Sequence, residues 1–133
     1  MKYTCDGFNL IGWEDGTVTD LKTELMWAAK DSGYKLSQQS AKSYCKNYRG
    51  GGYTDWRMPT TAELKGLYDD VETYKSECGS DVHLTELIRL NCAYVAGSGD
   101  DDVGAYINFV DGSLHLTDKI YDYAPALPVR SGK

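Results

Sequence analysis

The chain has 133 residues, 41% of them apolar, and its 14 Lys and Arg against 20 Asp and Glu give a formal net charge of -6. This is the length of one ordinary domain, with enough apolar residues for a single core and a charge content that argues against disorder. The acidic balance works against nucleic acids and other polyanions as partners, and no run of about 18 apolar residues is present to cross a bilayer.

In chain order, "MKYTCDGFNL" lacks the apolar run of a secretory leader, so an exported form would begin after its leader or be one domain of a longer protein. The stretch "DGTVTDLKTELMWAA", Asp15 to Ala29, predicts a strand at Thr17–Thr19, a turn at "DLKT", and a second strand through Leu25, Met26 and Trp27. A loop, "KDSGYK", follows. Ser37 then caps a helix running to Tyr48, with Ala41, Tyr44, Cys45 and Tyr48 on one stripe. "RGGG" stops it, with glycine supplying a left-handed exit. A second helix starts at Thr60, where Thr60 and Glu63 form a capping box behind Pro59, and Leu64, Leu67, Tyr68 and Val71 repeat the stripe. Glu72 to Asn91 is aperiodic apart from some helical spacing in "HLTELIRL". From Cys92 the pattern is strands: "CAYVA", "GAYINFV", "SLHLT" and "ALPVR", with "VDGS" as an Asp-Gly hairpin signal. A hairpin, two helices and one antiparallel sheet make an α+β domain.

Four cysteines, Cys5, Cys45, Cys78 and Cys92, allow three complete pairings. Cys78 and Cys92 flank one segment and are paired first, which leaves Cys5 with Cys45. An even count in a small domain fits an exported, disulfide-bearing protein; four unrelated thiols of a cytosolic protein is the alternative. With only His83 and His115 besides, no Cys/His spacing suggests a metal site. Tyrosine is the unusual residue, 11 against 2 Phe, and offers a large ring with a polar tip.

The segments "DGTVTDLKTELMW", "SYC", "GGYTDWRMPTTAEL", "YINFVDGS" and "ALPVRSG" occur in an order and spacing that resembles the Lcl C-terminal domain family of bacteria, from about Asp15 to Gly132. The resemblance implies a C-type-lectin-like fold, two helices flanking a small antiparallel sheet, over a single domain spanning 1–133. It also implies an exported, surface or periplasmic setting, a role in adhesion or ligand binding, and a homotrimer as a candidate assembly. The namesake of the family looks like a trimeric binder of sulfated polysaccharide. Two departures stand out: the family commonly has Gly where this chain has Glu24, and often has Cys near the motif that here reads Leu127-Pro128-Val129-Arg130.

Within "DWRMPT", Trp56 is expected to pack under the helix start and Arg57 to reach a carboxylate or carbonyl, Asp55 being one candidate. Trp27, Trp56, Arg57, Thr60 and Glu63 are therefore taken as structural. The expected ligand site is the loop Gly97 to Gly104 and the strands beside it: Tyr94, Asp100, Asp101, Asp102, Tyr106 and Asn108. Three adjacent carboxylates need solvent or a cation, and calcium could draw on Asn108 and Asp111 as well, although a solvated loop with no cofactor is the simpler expectation. The ligand would be a glycan or a partner protein. No nucleophile elbow, H-E-x-x-H, P-loop or Rossmann pattern is present, so no enzyme activity is expected. The alternatives are a structural or oligomerisation domain of a surface protein and a relative of the formylglycine-generating enzymes, which share the broader fold and use cysteines; a reactive free thiol would favour the latter.

Overall fold

A computed structural model of the chain describes residues 3–5, 9–98, 104–117 and 124–132. Among them are two α-helices and three antiparallel sheets, where one sheet was expected. The five-stranded sheet has the order β1-β2-β3-β4-β10, made of β1 (Tyr3–Cys5), β2 (Leu10–Trp13), β3 (Thr17–Asp20), β4 (Leu25–Ala28) and β10 (Val129–Ser131). The β3–β4 hairpin falls where β-branched and apolar residues predict it. The "VR" segment leaves the expected C-terminal sheet and pairs instead with β4, placing Val129 opposite Trp27 and Trp27 opposite Val18. Directly opposed residues share a face, so these three side chains form one buried row.

The turn between β3 and β4 carries Glu24 at φ 62, the left-handed region that favours glycine. The glycine common at this point of the family would be unstrained there. The Gly132 amide donates to the Glu24 carbonyl at 2.7 Å, which ties the end of β10 to the same turn.

Helix α1 (Gln38–Asn47) starts at Ser37, whose side chain accepts from the Ser40 amide, and buries Ala41 and Cys45. It ends differently from expectation. Tyr48 is extended, and the left-handed glycines, Gly51 and Gly52, come later in a short 3-10 turn, Gly50–Gly52. Helix α2 (Thr61–Leu67) has both halves of its capping box, Thr60 accepting from the Glu63 amide and Glu63 from the Thr60 amide. It stops at Leu67, so Val71 lies beyond the stripe and is 89% exposed. The segment after it forms a two-residue ladder, β5 (Tyr74–Lys75) with β6 (Asp81–Val82). "HLTELIRL" is not helical; it buries Leu84, Ile88 and Leu90 from an irregular chain whose contacts are non-local.

The three-stranded sheet joins β7 (Tyr94–Ser98), β8 (Gly104–Asn108) and β9 (Leu114–Thr117) in that order. One face presents Val95 and Ile107 to the main core, which they share with Val18, Trp27, Val129 and Leu64 of α2. The other face sets Ala96 against Ala41 and Cys45 of α1, with Met58, Ala124 and Ala126. Gly97 faces α2 so closely that a Cβ there would lie 2.9 Å from a Leu64 methyl. The connection after β8 is wider than an Asp-Gly two-residue turn: the Asn108 amide reaches the Ser113 carbonyl across Phe109–Gly112, which lets Phe109 tuck fully into the core. A bond joins Cys78 and Cys92, with Cα atoms 5.1 Å apart. The second expected pair is corrected: Cys5 is an exposed free thiol on edge strand β1, and Cys45 a free thiol inside α1, where burial pushes it up to about 12.

Candidate functional site

The segment Asp55–Glu63 has an unambiguous geometry. Trp56 is 3% exposed, donates its indole N–H to the Gly50 carbonyl at 3.1 Å, and meets the Tyr48 ring edge-on at 4.9 Å. Arg57 exchanges backbone hydrogen bonds with Val129 of β10 and makes a two-pronged contact with Glu63, at 2.8 and 2.7 Å. The carboxylate on Arg57 is thus Glu63 rather than Asp55. Asp55 instead accepts from Arg130 at 2.6 and 3.2 Å, while the Arg130 guanidinium lies 3.8 Å over the Tyr53 ring. The Arg130 hydrogen bonds hold the Asp55 carboxyl below the usual carboxylate range, and Arg57 does the same for Glu63. Three consecutive residues thereby fasten the 3-10 turn, the last strand and the start of α2 to one another.

The ladder places the strand residues of the candidate site and the stem of the acidic loop at different positions. Tyr94 pairs with Asn108 at one end of β7–β8, whereas Ser98 pairs with Gly104 at the other, the end from which residues 99–103 continue. Four strand residues, roughly 13 Å, separate the two ends. Asp100, Asp101 and Asp102 lie outside the described residues, so only the stem of that loop is placed. Tyr106 sits mid-strand between them, opposite Ala96 on one side and His115 on the other.

What the sheet does assemble is an aromatic face. Tyr106 and His115 stack at 5.0 Å with ring planes 11° apart, and Tyr94 meets Tyr106 edge-on at 5.1 Å and His115 at 6.2 Å. Tyr94 is 39% exposed, Tyr106 is half-buried and His115 is exposed. In sequence His115 stands alone between two leucines, with no partner for metal or catalytic spacing. The available signal was alternation: in "SLHLT" the leucines and His115 point to opposite sides, and His115 shares its side with Tyr106.

Asn108 and Asp111, considered as calcium ligands, serve their own turn. The Asn108 side-chain oxygen accepts from the Val110 amide at 2.9 Å, and Asp111 accepts from the Ser113 amide and hydroxyl at 2.9 and 2.6 Å. These Ser113 contacts hold the Asp111 carboxyl below the usual range. The same Ser113 hydroxyl lies 2.9 Å from His115 Nε2. Asp111, Ser113 and His115 thus meet side by side at the start of β9, with the hydroxyl donating to the carboxylate. His83 bonds the Asp69 carbonyl at 3.0 Å and stacks on Tyr68. Cys45, at about 12, is the reverse of an activated thiol. Among the described residues no group of three or more His, Cys, Asp or Glu could hold a metal ion, and no helix is long and apolar enough to cross a membrane.

A cleft of about 390 Å³ opens elsewhere, lined in part by Asp31, Tyr44, Tyr48 and Asn91 and sharing no residue with the aromatic face. In the sequence its residues read as the loop "KDSGYK" and as the Tyr44 and Tyr48 positions of the first helical stripe, with nothing to bring the two together.

No curated protein and no solved structure matches the chain. The Lcl C-terminal domain model matches residues 16–130, a span that runs from the β3–β4 hairpin through the Trp56–Arg57 fastening to Arg130. The chain belongs to the Lcl C-terminal domain family.

Proposed function

We propose that this domain is a non-catalytic ligand-binding and adhesion module with a C-type-lectin-like fold, carried by an exported bacterial protein, and that its ligand is a carbohydrate or a partner protein. The observation that supports this most is the partly exposed set of Tyr94, Tyr106 and His115 on a three-stranded sheet backed by the main core, with Tyr106 also packed against the cluster of Ala41 and Cys45 beside it. Rigid rings cover apolar C–H faces at little entropic cost, and their hydroxyl and imidazole tips hydrogen-bond at the rim. The Cys78–Cys92 bond supports an oxidising compartment. Asp100, Asp101 and Asp102, outside the described residues, enter the proposal separately as the acidic segment that follows Ser98, with calcium assigned to them.

A glycan array probed with the domain, in calcium and in EDTA, tests the reading. Binding to a defined set of glycans is expected, and EDTA sensitivity would assign calcium to the acidic loop. A blank array would move the ligand to the protein class. A second reading, a trimer-forming structural domain, is favoured by one observation: edge strand β9 exposes Leu114 at 39% and Leu116 at 68%. Light scattering that finds a trimer without ligand would support that reading.

A further inference from the structure

The cleft beside α1 has the composition of a site in its own right. Asp31 is 8% exposed, yet its carboxylate is held in place by the Gly33 amide on one oxygen and the Asn91 amide on the other, both at 2.9 Å. Two of its roughly four lone-pair directions are thus used. Burial holds its pKa above the ordinary value. The ion pairs among the described residues are Arg57–Glu63, Lys75–Asp81 and Arg130–Asp55, so no cationic side chain pairs with Asp31. The neighbouring Arg89 places its guanidinium 4.4 Å over the Tyr74 ring.

The cleft wall is pre-formed. Tyr44 and Tyr48 stack at 6.3 Å with planes 28° apart, and Tyr48 is braced in turn by the buried Trp56. The lining charges are balanced, with Lys30 and Arg89 against Asp31 and Glu77 among the lining residues. An anion would meet two carboxylates here, and a cation would meet two cations. An uncharged molecule with many hydroxyls would find both donors and acceptors, with tyrosine rings for its C–H surface. A volume of about 390 Å³ lies at the low end for small-molecule sites, about 300–1,000 Å³.

We propose that this cleft binds a neutral, hydroxyl-rich small molecule the size of a mono- or disaccharide, with Asp31 accepting from its hydroxyls and Tyr44 and Tyr48 lying against its C–H face. The site is independent of the aromatic face, and either can fail alone.

The test is a titration of the ¹⁵N-labelled chain with glucose, galactose, mannose, N-acetylglucosamine, maltose and lactose, with inorganic phosphate and methylamine as the charged arms. The amides of Gly33 and Asn91, which hold Asp31, are expected to shift saturably with at least one neutral sugar. Tyr44→Ala is expected to weaken that response about tenfold. Glu77→Gln, at an exposed lining residue that leaves the fold alone, is expected to weaken it several-fold, and Tyr94→Ala should leave it unchanged. Failure of all six sugars to move these amides would overturn the proposal. So would stronger saturable shifts with phosphate or methylamine, or a sugar response that neither Tyr44→Ala nor Glu77→Gln alters.

Discussion

The Asp55–Glu63 segment and the Tyr94–Tyr106–His115 face are built from similar side chains and spend them in opposite ways. In the first, the indole is buried and hydrogen-bonded, and both arginines that the segment engages are committed to carboxylates. In the second, the rings support one another across the strands and keep part of their surface in solvent. A family signature as recognisable as "DWRMPT" can thus mark the fastening of a fold, while the surface proposed to meet a ligand carries residues with little local pattern.

The sharpest way to break this comparison is to truncate one aromatic from each region. Trp56→Ala should cost about 3–5 kcal/mol, because it opens a cavity beneath the 3-10 turn and strands the Gly50 carbonyl. Tyr94→Ala should cost no more than about 1.5 kcal/mol, the worth of an edge-on ring pair at a partly exposed site. Chemical denaturation of the two variants measures both, and equal losses would erase the distinction. Next in size, Gly97→Ala should cost about 1–3 kcal/mol, since the added methyl meets Leu64 and α2 must shift. Thermal melting reads that change.

A smaller effect separates the regions by pH. Asp55 and Glu63 are held below their ordinary values, so the unfolded chain takes up protons before the folded one does. Their contribution is complete above the ordinary carboxylate range near pH ~4 and fades as pH falls through the folded values. Asp31, raised by burial, runs the other way and loses its penalty as it is neutralised. Asp55→Asn should therefore melt below wild type at neutral pH, and the two should converge in acid. A gap that persists in acid would mean the Arg130 contact does not depend on the Asp55 charge. Smallest in energy is a reactivity difference: iodoacetamide should label Cys5 in the native state and Cys45 only after unfolding, as peptide mapping would show.

Local chemistry made much of the fold legible. The Thr60–Glu63 capping box, the Ser37 cap and the β3–β4 hairpin are each determined within a few residues, and each is present. Contacts across long separations carried no such signal. Arg130 reaches Asp55 over 75 residues and Asp31 reaches Asn91 over 60, so neither the placement of β10 nor the cleft could be read along the chain. The irregular burial of Leu84, Ile88 and Leu90 has no period to detect, and helical spacing in that stretch was accidental. For the ligand residues, grouping by sequence neighbourhood joined Tyr94 and Asn108 to an acidic loop that departs from the other end of their ladder.

The central claim is that the aromatic face binds and the Asp55–Glu63 segment only holds the fold. Its most direct test is one glycan array carrying wild type and Tyr94→Ala side by side, after both have been shown to melt within a few degrees of each other. The account predicts a defined set of glycans bound by wild type and lost in the variant. Identical binding by the two proteins would contradict it.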